Sequence, residues 1–177
     1  TFKTNVYAIV TSDFMVDVLE SWWLEHHQRF PQVKTLLINQ DNGPENHSRR
    51  TQFMKRIVEF AHRHCVNIRL AYYPPYHSKY NPIERTWGIL ENHWNGSILD
   101  EIDTVLNFAR TMTWKGQRPV VRLVTEIYKT GVKLTKQAMA EVENQIQRLT
   151  CLQLQDEQLN LGKWFIDIVH NPELKLE

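Results

Sequence analysis

The chain has 177 residues, which is enough for one ordinary core or for one domain with an appendage. Hydrophobic residues at 42% and charged residues at 23% are typical of a globular protein, and the sequence has no apolar run long enough for a bilayer and no signal peptide. These features argue against a membrane protein. The net charge of +1 is small for a protein that binds nucleic acid, although a whole-chain value can hide local patches.

The N-terminal part is predicted to form a strand and then a helix. Residues 2–10 contain short apolar runs that are typical of a strand, and Thr11-Ser12-Asp13 supplies the chemistry of a helix N-cap. Because Asp13 stands before a helix and not at the end of a strand, capping is favoured for it over a catalytic role. The helix is predicted to bury a wide stripe made of Phe14, Val18 and Trp22, with Met15, Leu19 and Trp23 beside them.

The next apolar run predicts a buried strand that ends at an acid. Asp41 follows Thr35-Leu-Leu-Ile-Asn-Gln directly, and Asn-Gly-Pro turn chemistry comes after it. Ligands gather at the carboxyl ends of strands in α/β folds, so Asp41 is a candidate site residue; the alternative is a purely structural Asx-turn. A helix is predicted over residues 50–64, and its core-facing positions are Phe53, Ile57, Phe60, Ala61 and His64. Arg49 and Arg50 precede it, where they could contact a phosphate backbone or simply be solvated.

A second acid follows the next predicted strand, residues 67–73. Pro74 and Pro75 end that strand, and a polar, aromatic and basic loop leads to Asn81, a good N-cap, with a proline at the first helical position. Glu84 falls at the third helical position, where a capping box would also place it. The helix is predicted to bury residues at helical spacing and to end at a C′ glycine, Gly96; the buried positions are Ile83, Trp87, Leu90 and Trp94.

The remainder of the chain is predicted to be helical up to residue 149. One helix is expected over residues 99–112, a turn at 114–116, a helix from Pro119 to Gly131, and another capped by Thr135. We expect three regions: a core in residues 1–97, a helical extension packed on it in 98–149, and a tail in 150–177 that gives no functional signal.

Two segments carry a resemblance to a known family. "LLINQDNGPENHSRRTQF" (Leu36 to Phe53) and "YYPPYHSKYNPIERTWGILENHWNG" (Tyr72 to Gly96) resemble the DDE transposases of bacterial insertion sequences, most closely the ISAzo-type group. The resemblance covers about residues 11–140. It implies an α/β fold of the RNase H-like type, with a mixed sheet flanked by helices, in which Asp41 is the second and Glu84 the third acid of a metal-binding triad.

The first acid of that triad has no match in this sequence. Since the chain begins with Thr1 and not with Met, we expect it to be the C-terminal catalytic part of a longer protein, with the first acid upstream. The fold would then be truncated at its N-terminus and carry a C-terminal helical layer. By itself, such a chain is expected to bind metal weakly and not to cut DNA.

The resemblance also implies a reaction and its partners. Mg²⁺ or Mn²⁺ would assist strand cleavage and strand transfer, acting on transposon ends and target DNA in a homo-oligomer, in the cytoplasm and on the nucleoid. We expect DNA contacts from Arg49, Arg50, His77, Ser78, Lys79, Tyr80, Asn81 and Arg85. One alternative is an inactive remnant that only binds DNA or oligomerises. Another is an unrelated α/β enzyme that pairs Asp41 with a histidine and works without metal.

Overall fold

A computed structural model describes residues 10–73, 82–148 and 165–170, with the side chain of residue 82 left out. These residues fall into two compact units, the first within residues 1–74 and 128–177 and the second within 75–127. The predicted boundary after residue 97 lies inside the second unit. The strand predicted for residues 2–10 lies almost entirely outside the described residues.

The regular elements alternate between helix and strand in the first half of the chain. A short 3₁₀ helix, His27–Arg29, extends the first helix. In chain order the elements are α1 (Ser12–His26), β1 (Thr35–Gln40), α2 (Thr51–Arg63), β2 (Asn67–Tyr72), α3 (Pro82–Trp94), α4 (Ile102–Thr111), α5 (Lys136–Glu143), β3 (Ile146–Arg148) and β4 (Phe165–Ile168). None of the described helices has the length and apolar character needed to cross a membrane.

The described strands form one mixed sheet in the order β1-β2-β4-β3. β1 and β2 are parallel, with Leu36 opposite Ile68, and α2 is the crossover between them. The prediction that β1 is a buried strand was wrong: its residues alternate between exposed and half-buried, and Leu37 is 55% exposed. β4 runs antiparallel to both β2 and β3. The mixed α/β architecture agrees with the predicted fold class. The expectation that residues 98–149 are wholly helical was wrong at β3, and β4 was missed, because such short strands gain their stability from pairing with β2 and with each other.

The core of the first unit lies between the sheet and its helices. α2 packs against α1, α5 and β2. Most of the fully buried side chains come from α2 and from the inward positions of the strands, namely Met54, Ile57, Phe60, Ala61, Ile68, Leu70, Ile166 and Ile168; Val16 of α1 is buried with them. The buried face predicted for α2 is confirmed at Phe53, Ile57, Phe60 and Ala61.

The buried stripe of α1 differs from the prediction. Val16 and Trp23 are buried, whereas Val18 and Trp22 are 43% and 41% exposed. The reason is that the acids of α1 face α2. Asp13 and Asp17 both pair with Arg56, and Glu20 pairs with Arg63 at 2.7 Å, which fixes the rotation of the helix.

The second unit contains α3 and α4 and buries little apolar surface. His93 on α3 hydrogen-bonds to Thr111 on α4 (Nε2 to Oγ1, 3.0 Å), and Leu90 and Met112 are buried. The prediction that Ile83 and Trp87 are core residues was wrong, since they are 47% and 55% exposed.

The helix predicted from Pro119 to Gly131 is absent, and the described residues 118–135 form neither helix nor strand. Val120, Val121, Val124, Thr125 and Ile127 are β-branched and form helices poorly. The turn before this segment is confirmed: Trp114 and Gln117 exchange two backbone hydrogen bonds, and the residues between them have positive φ, 52° at Lys115 and 76° at Gly116.

Candidate functional site

Asp41 stands directly after β1, where the parallel strands β1 and β2 present their carboxyl ends. Its side chain is exposed and is oriented by Asn46, which is 5% exposed. Asn46 Nδ2 lies 3.0 Å from Asp41 Oδ1 and 3.2 Å from the Asp41 carbonyl oxygen. The carboxylate is therefore held in one orientation and keeps acceptor capacity for a ligand.

Asn46 is in turn fixed by neighbours from both strands. Its Nδ2 is also 3.2 Å from Gln40 Oε1, and the Tyr72 hydroxyl donates to the Asn46 carbonyl oxygen at 3.0 Å. Burial raises the pKa of the Tyr72 hydroxyl, so it remains a donor through the neutral range. The Asn46 Oδ1 atom is buried without a hydrogen-bond partner. An unpartnered buried acceptor beside a carboxylate is a position that a bound cation or an ordered water would satisfy.

Gly43 allows this arrangement. A Cβ atom at this position would lie 2.8 Å from Asn46 Oδ1 and 3.3 Å from Asp41 Oδ1, so any other residue would push the two side chains apart. The Asn-Gly-Pro sequence was interpreted only as turn chemistry, and its glycine also leaves room for the polar pair.

A second network anchors the remainder of the loop, residues 41–50. The Ser12 hydroxyl donates to the Glu45 carbonyl oxygen at 2.7 Å, and Arg50 Nη2 pairs with Glu45 Oε2 at 2.9 Å. Burial alone would raise the pKa of the Glu45 carboxyl, but hydrogen bonds from Arg50 and Ser12 and the charge of Arg50 outweigh it, and the pKa is lowered. From β3, Arg148 Nη1 donates to the Ser48 carbonyl oxygen at 2.9 Å. The loop is thus tied to α1, β1, β2 and β3.

The predicted DNA contacts near this loop have different environments. Arg49 is exposed, whereas Arg50 is 9% exposed and directs its guanidinium to Glu45. Arg50 precedes α2, and its guanidinium already has a carboxylate partner.

Glu84 is the third residue of α3, which begins at Pro82 as the proline position predicts. Glu84 and its neighbour Arg85 are exposed. Five predicted DNA contacts lie outside the described residues: His77, Ser78, Lys79, Tyr80 and Asn81. Asn81 is also the predicted N-cap, so the capping box with Glu84 lies partly outside them. Glu84 belongs to the second unit and Asp41 to the first.

The donor types in these places suit a hard divalent cation. Carboxylate and amide oxygens are ligands that Mg²⁺ accepts, and Asp41, Glu84 and Asn46 offer them. Among the described residues, however, no group of three or more His, Cys, Asp or Glu side chains is placed to hold a metal ion. The residues fit the ion in kind, and the described part of the chain does not contain a complete acidic cluster.

Asp13 has a structural environment. The N-cap of α1 is Thr11, whose Oγ1 accepts from the Phe14 N–H at 3.2 Å, while Asp13 lies in the first turn. The Asp13 carboxylate accepts from Gln52 Nε2 at 2.8 Å and pairs with Arg56 at 3.3 Å. The expectation that Asp13 caps the helix was therefore wrong: Thr11 is the cap, and Asp13 bridges α1 to α2.

Sequence reasoning missed the residues that support Asp41. Asn46, Glu45 and Ser12 were not singled out. The available signal was the density of polar side chains in Asp41-Asn-Gly-Pro-Glu-Asn46, a segment that enters a buried environment at Asn46. Ser12 could not be found in this way, because it lies 33 positions before its partner Glu45.

Comparison with known proteins gives one match at the level of the family. A protein-family model described as the Rhodopirellula transposase DDE domain matches residues 4–168. This range is most of the chain and includes both Asp41 and Glu84. No curated protein and no solved structure matches the chain.

Proposed function

Since the chain belongs to this transposase DDE-domain family, we propose that it is a catalytic domain of an insertion-sequence transposase. The proposed reaction is divalent-metal-dependent cleavage of DNA strands at the ends of the element and their transfer to target DNA. The observation that carries the proposal is the exposed Asp41 carboxylate at the end of β1, held by buried Asn46 in a loop anchored from four elements. A carboxylate held in this way is preorganised to bind a metal ion.

Asp41 and Glu84 are the proposed metal ligands. Bound Mg²⁺ or Mn²⁺ would activate the attacking hydroxyl or water and stabilise the leaving oxygen of the phosphodiester. The contribution of the chain itself is orientation. Asn46 fixes the Asp41 carboxylate, Gly43 leaves room for that contact, and Tyr72 holds Asn46 from the neighbouring strand.

Arg49 and Arg85 are the described residues best suited to contact DNA near these acids. Both are exposed, and each lies close in sequence to one of the proposed ligands. Arg50 would act by holding the loop through Glu45, because its guanidinium already has a carboxylate partner. His77, Ser78, Lys79, Tyr80 and Asn81 remain predicted contacts. We also propose that the active species is a homo-oligomer on paired DNA ends, which places the protein on the nucleoid in the cytoplasm.

Metal binding by the 177-residue chain tests the ligand assignment. Mn²⁺ titration followed by electron paramagnetic resonance should show weak binding that Asp41→Asn and Glu84→Gln each weaken further. Glu91→Gln is the matched control, since Glu91 is an exposed acid on the same helix as Glu84. Equal Mn²⁺ affinity in the wild type and both site variants would contradict the assignment.

Strand cleavage tests the reaction. In a version of the protein that also supplies a first acid, Glu84→Gln should abolish metal-dependent cleavage and leave thermal unfolding unchanged. Cleavage that persists in this variant would exclude Glu84 as a ligand. The alternative is an inactive module that only binds DNA. It would be favoured if neither the 177-residue chain nor the version with a first acid binds Mn²⁺ at Asp41 while both still bind DNA. Activity that survives chelation of all metal would instead favour an acid–base enzyme.

A further inference from the structure

Among the described residues, six Lys and Arg side chains of the first unit pair with acids of the same unit. Arg63 pairs with Glu20 at 2.7 Å and Arg69 with Asp167 at 2.6 Å, and Lys55 lies 3.6 Å from Glu59. Arg50, Arg56 and Arg148 have acidic partners as well. Arg56, Arg63 and Arg69 connect different elements through these pairs. A cation with an internal acidic partner offers less free charge to an external anion.

A different pattern holds in residues 113–136, which we call the basic connector; the segment runs from the second unit into the first. It contains six basic residues and one acid, Glu126, so it carries a formal charge of +5 while the remainder of the chain carries −4. All six cations are exposed; they are Lys115, Arg118, Arg122, Lys129, Lys133 and Lys136. The net charge of +1 therefore hides a strongly basic segment.

Most of these cations also lack the internal partners that are found elsewhere. Within the described residues, Arg118, Lys129, Lys133 and Lys136 have no acid within ion-pairing distance, and Lys115 Nζ lies 5.1 Å from the centre of the Trp114 ring. Four free cations in one short segment repel one another at low ionic strength. Their charge favours an external polyanion.

The backbone of the connector suits contact with a repeating anion. Residues 118–135 form neither helix nor strand, so their amide groups take part in no helical or sheet ladder, although the Leu134 N–H donates to Thr51 Oγ1 at 3.1 Å. Phosphate contacts commonly come from exposed Lys and Arg side chains together with backbone N–H groups. The cations recur every three to seven residues along the segment.

We propose that the basic connector is a DNA-backbone binding element, separate from the Asp41 loop, which holds duplex DNA through phosphate contacts without reading its sequence. It deepens the proposed function, because it names a second contact to the same DNA substrate. The exposed apolar side chains of the connector, such as Val120 at 84% and Ile127 at 100%, make a protein partner the competing occupant.

The test is the salt dependence of duplex binding by the 177-residue chain, measured by fluorescence anisotropy with a mixed-sequence duplex in EDTA. Each phosphate contact contributes about one unit to the slope of log affinity against log salt. The triple variant Arg118→Gln, Lys129→Gln, Lys133→Gln should reduce the slope by about three units.

The matched control removes the same charge from paired cations: Lys55→Gln, Arg63→Gln, Arg69→Gln. The three control side chains are about half exposed, 47%, 49% and 48%. This control should leave the salt slope nearly unchanged, and circular dichroism should confirm that both variants are folded.

Three results would overturn the proposal: an unchanged slope in the connector variant, an equal loss in the control, or no duplex binding by the wild type. A connector variant that changes only the sedimentation coefficient would assign the segment to a second protein copy. Because EDTA removes the metal, the binding result is independent of the catalytic assignment. If the protein does not bind Mn²⁺ or cleave DNA but shows the expected salt slope, only the catalytic assignment is rejected.

Discussion

The two compact units differ in how they use apolar and charged residues. The first unit has a continuous core of buried aliphatic and aromatic side chains, and several of its cations, including Arg56, Arg63 and Arg69, are paired across elements. In the described part of the second unit, Leu90 and Met112 are the buried hydrophobic residues, while Trp87, Leu123 and Ile127 are at least half exposed. The first unit thus has the features of a rigid support for Asp41. The second unit and the basic connector present surface that is available to a partner.

The free energy of unfolding should respond very differently to the same substitution in the two regions. Leu70→Ala in β2, where the side chain is 0% exposed, should destabilise the protein by about 3 kcal/mol through lost burial and a residual cavity. Leu123→Ala in the connector, 51% exposed, should cost about 0.5 kcal/mol or less. Urea denaturation followed by circular dichroism measures both values.

A comparable loss for Leu123→Ala would mean that the connector contributes to a core, and the contrast between the regions would fail. A loss below about 1 kcal/mol for Leu70→Ala would contradict the central position of β2, because buried leucines in cores cost more than that.

Within the first unit, the loop after β1 should depend on Asn46 more than on its other asparagine. Asn46→Ala removes contacts to Gln40 and to Asp41 inside a buried environment and should destabilise by about 2 kcal/mol. It should also weaken Mn²⁺ binding. Asn42→Ala is the matched control: Asn42 is exposed and accepts one bond, from the Ser48 N–H at 3.3 Å, so a cost of about 0.5 kcal/mol is expected.

Denaturation and Mn²⁺ titration of both variants separate the two roles of Asn46. A loss of stability without any change in Mn²⁺ affinity would show that Asn46 supports the loop and does not position the carboxylate. Equal effects of the two substitutions would remove the special role of Asn46 altogether.

The paired acids of the first unit should make its stability fall in acid. Burial opposes the charged form of both Glu20 and Glu45. Hydrogen bonds from Arg63 and His64 outweigh burial at Glu20, and hydrogen bonds from Arg50 and Ser12 outweigh it at Glu45. The pKa of each carboxyl is therefore lowered from 4.5. Between the lowered and the ordinary pKa the unfolded chain binds more protons than the folded one. The stabilisation is therefore complete above pH 4.5 and is lost as the pH falls through the folded pKa values.

Unfolding free energies measured from pH 7 down to pH 3 check this expectation. Glu20→Gln and Glu45→Gln should each lower stability at pH 7 and flatten its acid dependence. Glu91→Gln in the second unit, an exposed acid, should leave the curve unchanged. If Glu20→Gln and Glu45→Gln retain the full acid dependence of the wild type, other carboxyls cause the loss of stability in acid.

The sequence predicted the parts of the structure that local chemistry determines. The strand before Asp41, the burial of α2, Pro82 at the start of α3 and the Trp114–Gln117 turn follow from apolar periodicity, proline position and glycine. The rotation of α1 could not be predicted in this way, because ion pairs with α2 determine it over about 40 positions of sequence.

The remaining errors have the same origin. The short strands β3 and β4 form because they pair with strands that are distant in sequence or with each other. The loop sequence also does not indicate the burial on which the support of Asp41 by Asn46, Ser12 and Tyr72 depends. The segment after Pro119 has no helix although its apolar spacing suggested one, and its β-branched residues were the contrary signal.

The end of α2 offers a stabilising substitution in the well-packed unit. Cys65 has φ of 52°, in the left-handed region, where it closes the helix with the Val66 N–H donating to the Ala61 carbonyl oxygen at 3.0 Å. Glycine adopts this conformation without the steric cost of a Cβ atom, so Cys65→Gly should raise the free energy of unfolding by about 0.5 to 1 kcal/mol. Cys65→Ala, which keeps the Cβ atom, is the matched control and should change stability little. Thermal and urea denaturation under reducing conditions measure the stability of both variants. The Cys65 Sγ atom lies 3.8 Å from the His62 carbonyl oxygen. A loss of stability in the glycine variant would mean that this side chain stabilises the protein by more than its backbone strain costs.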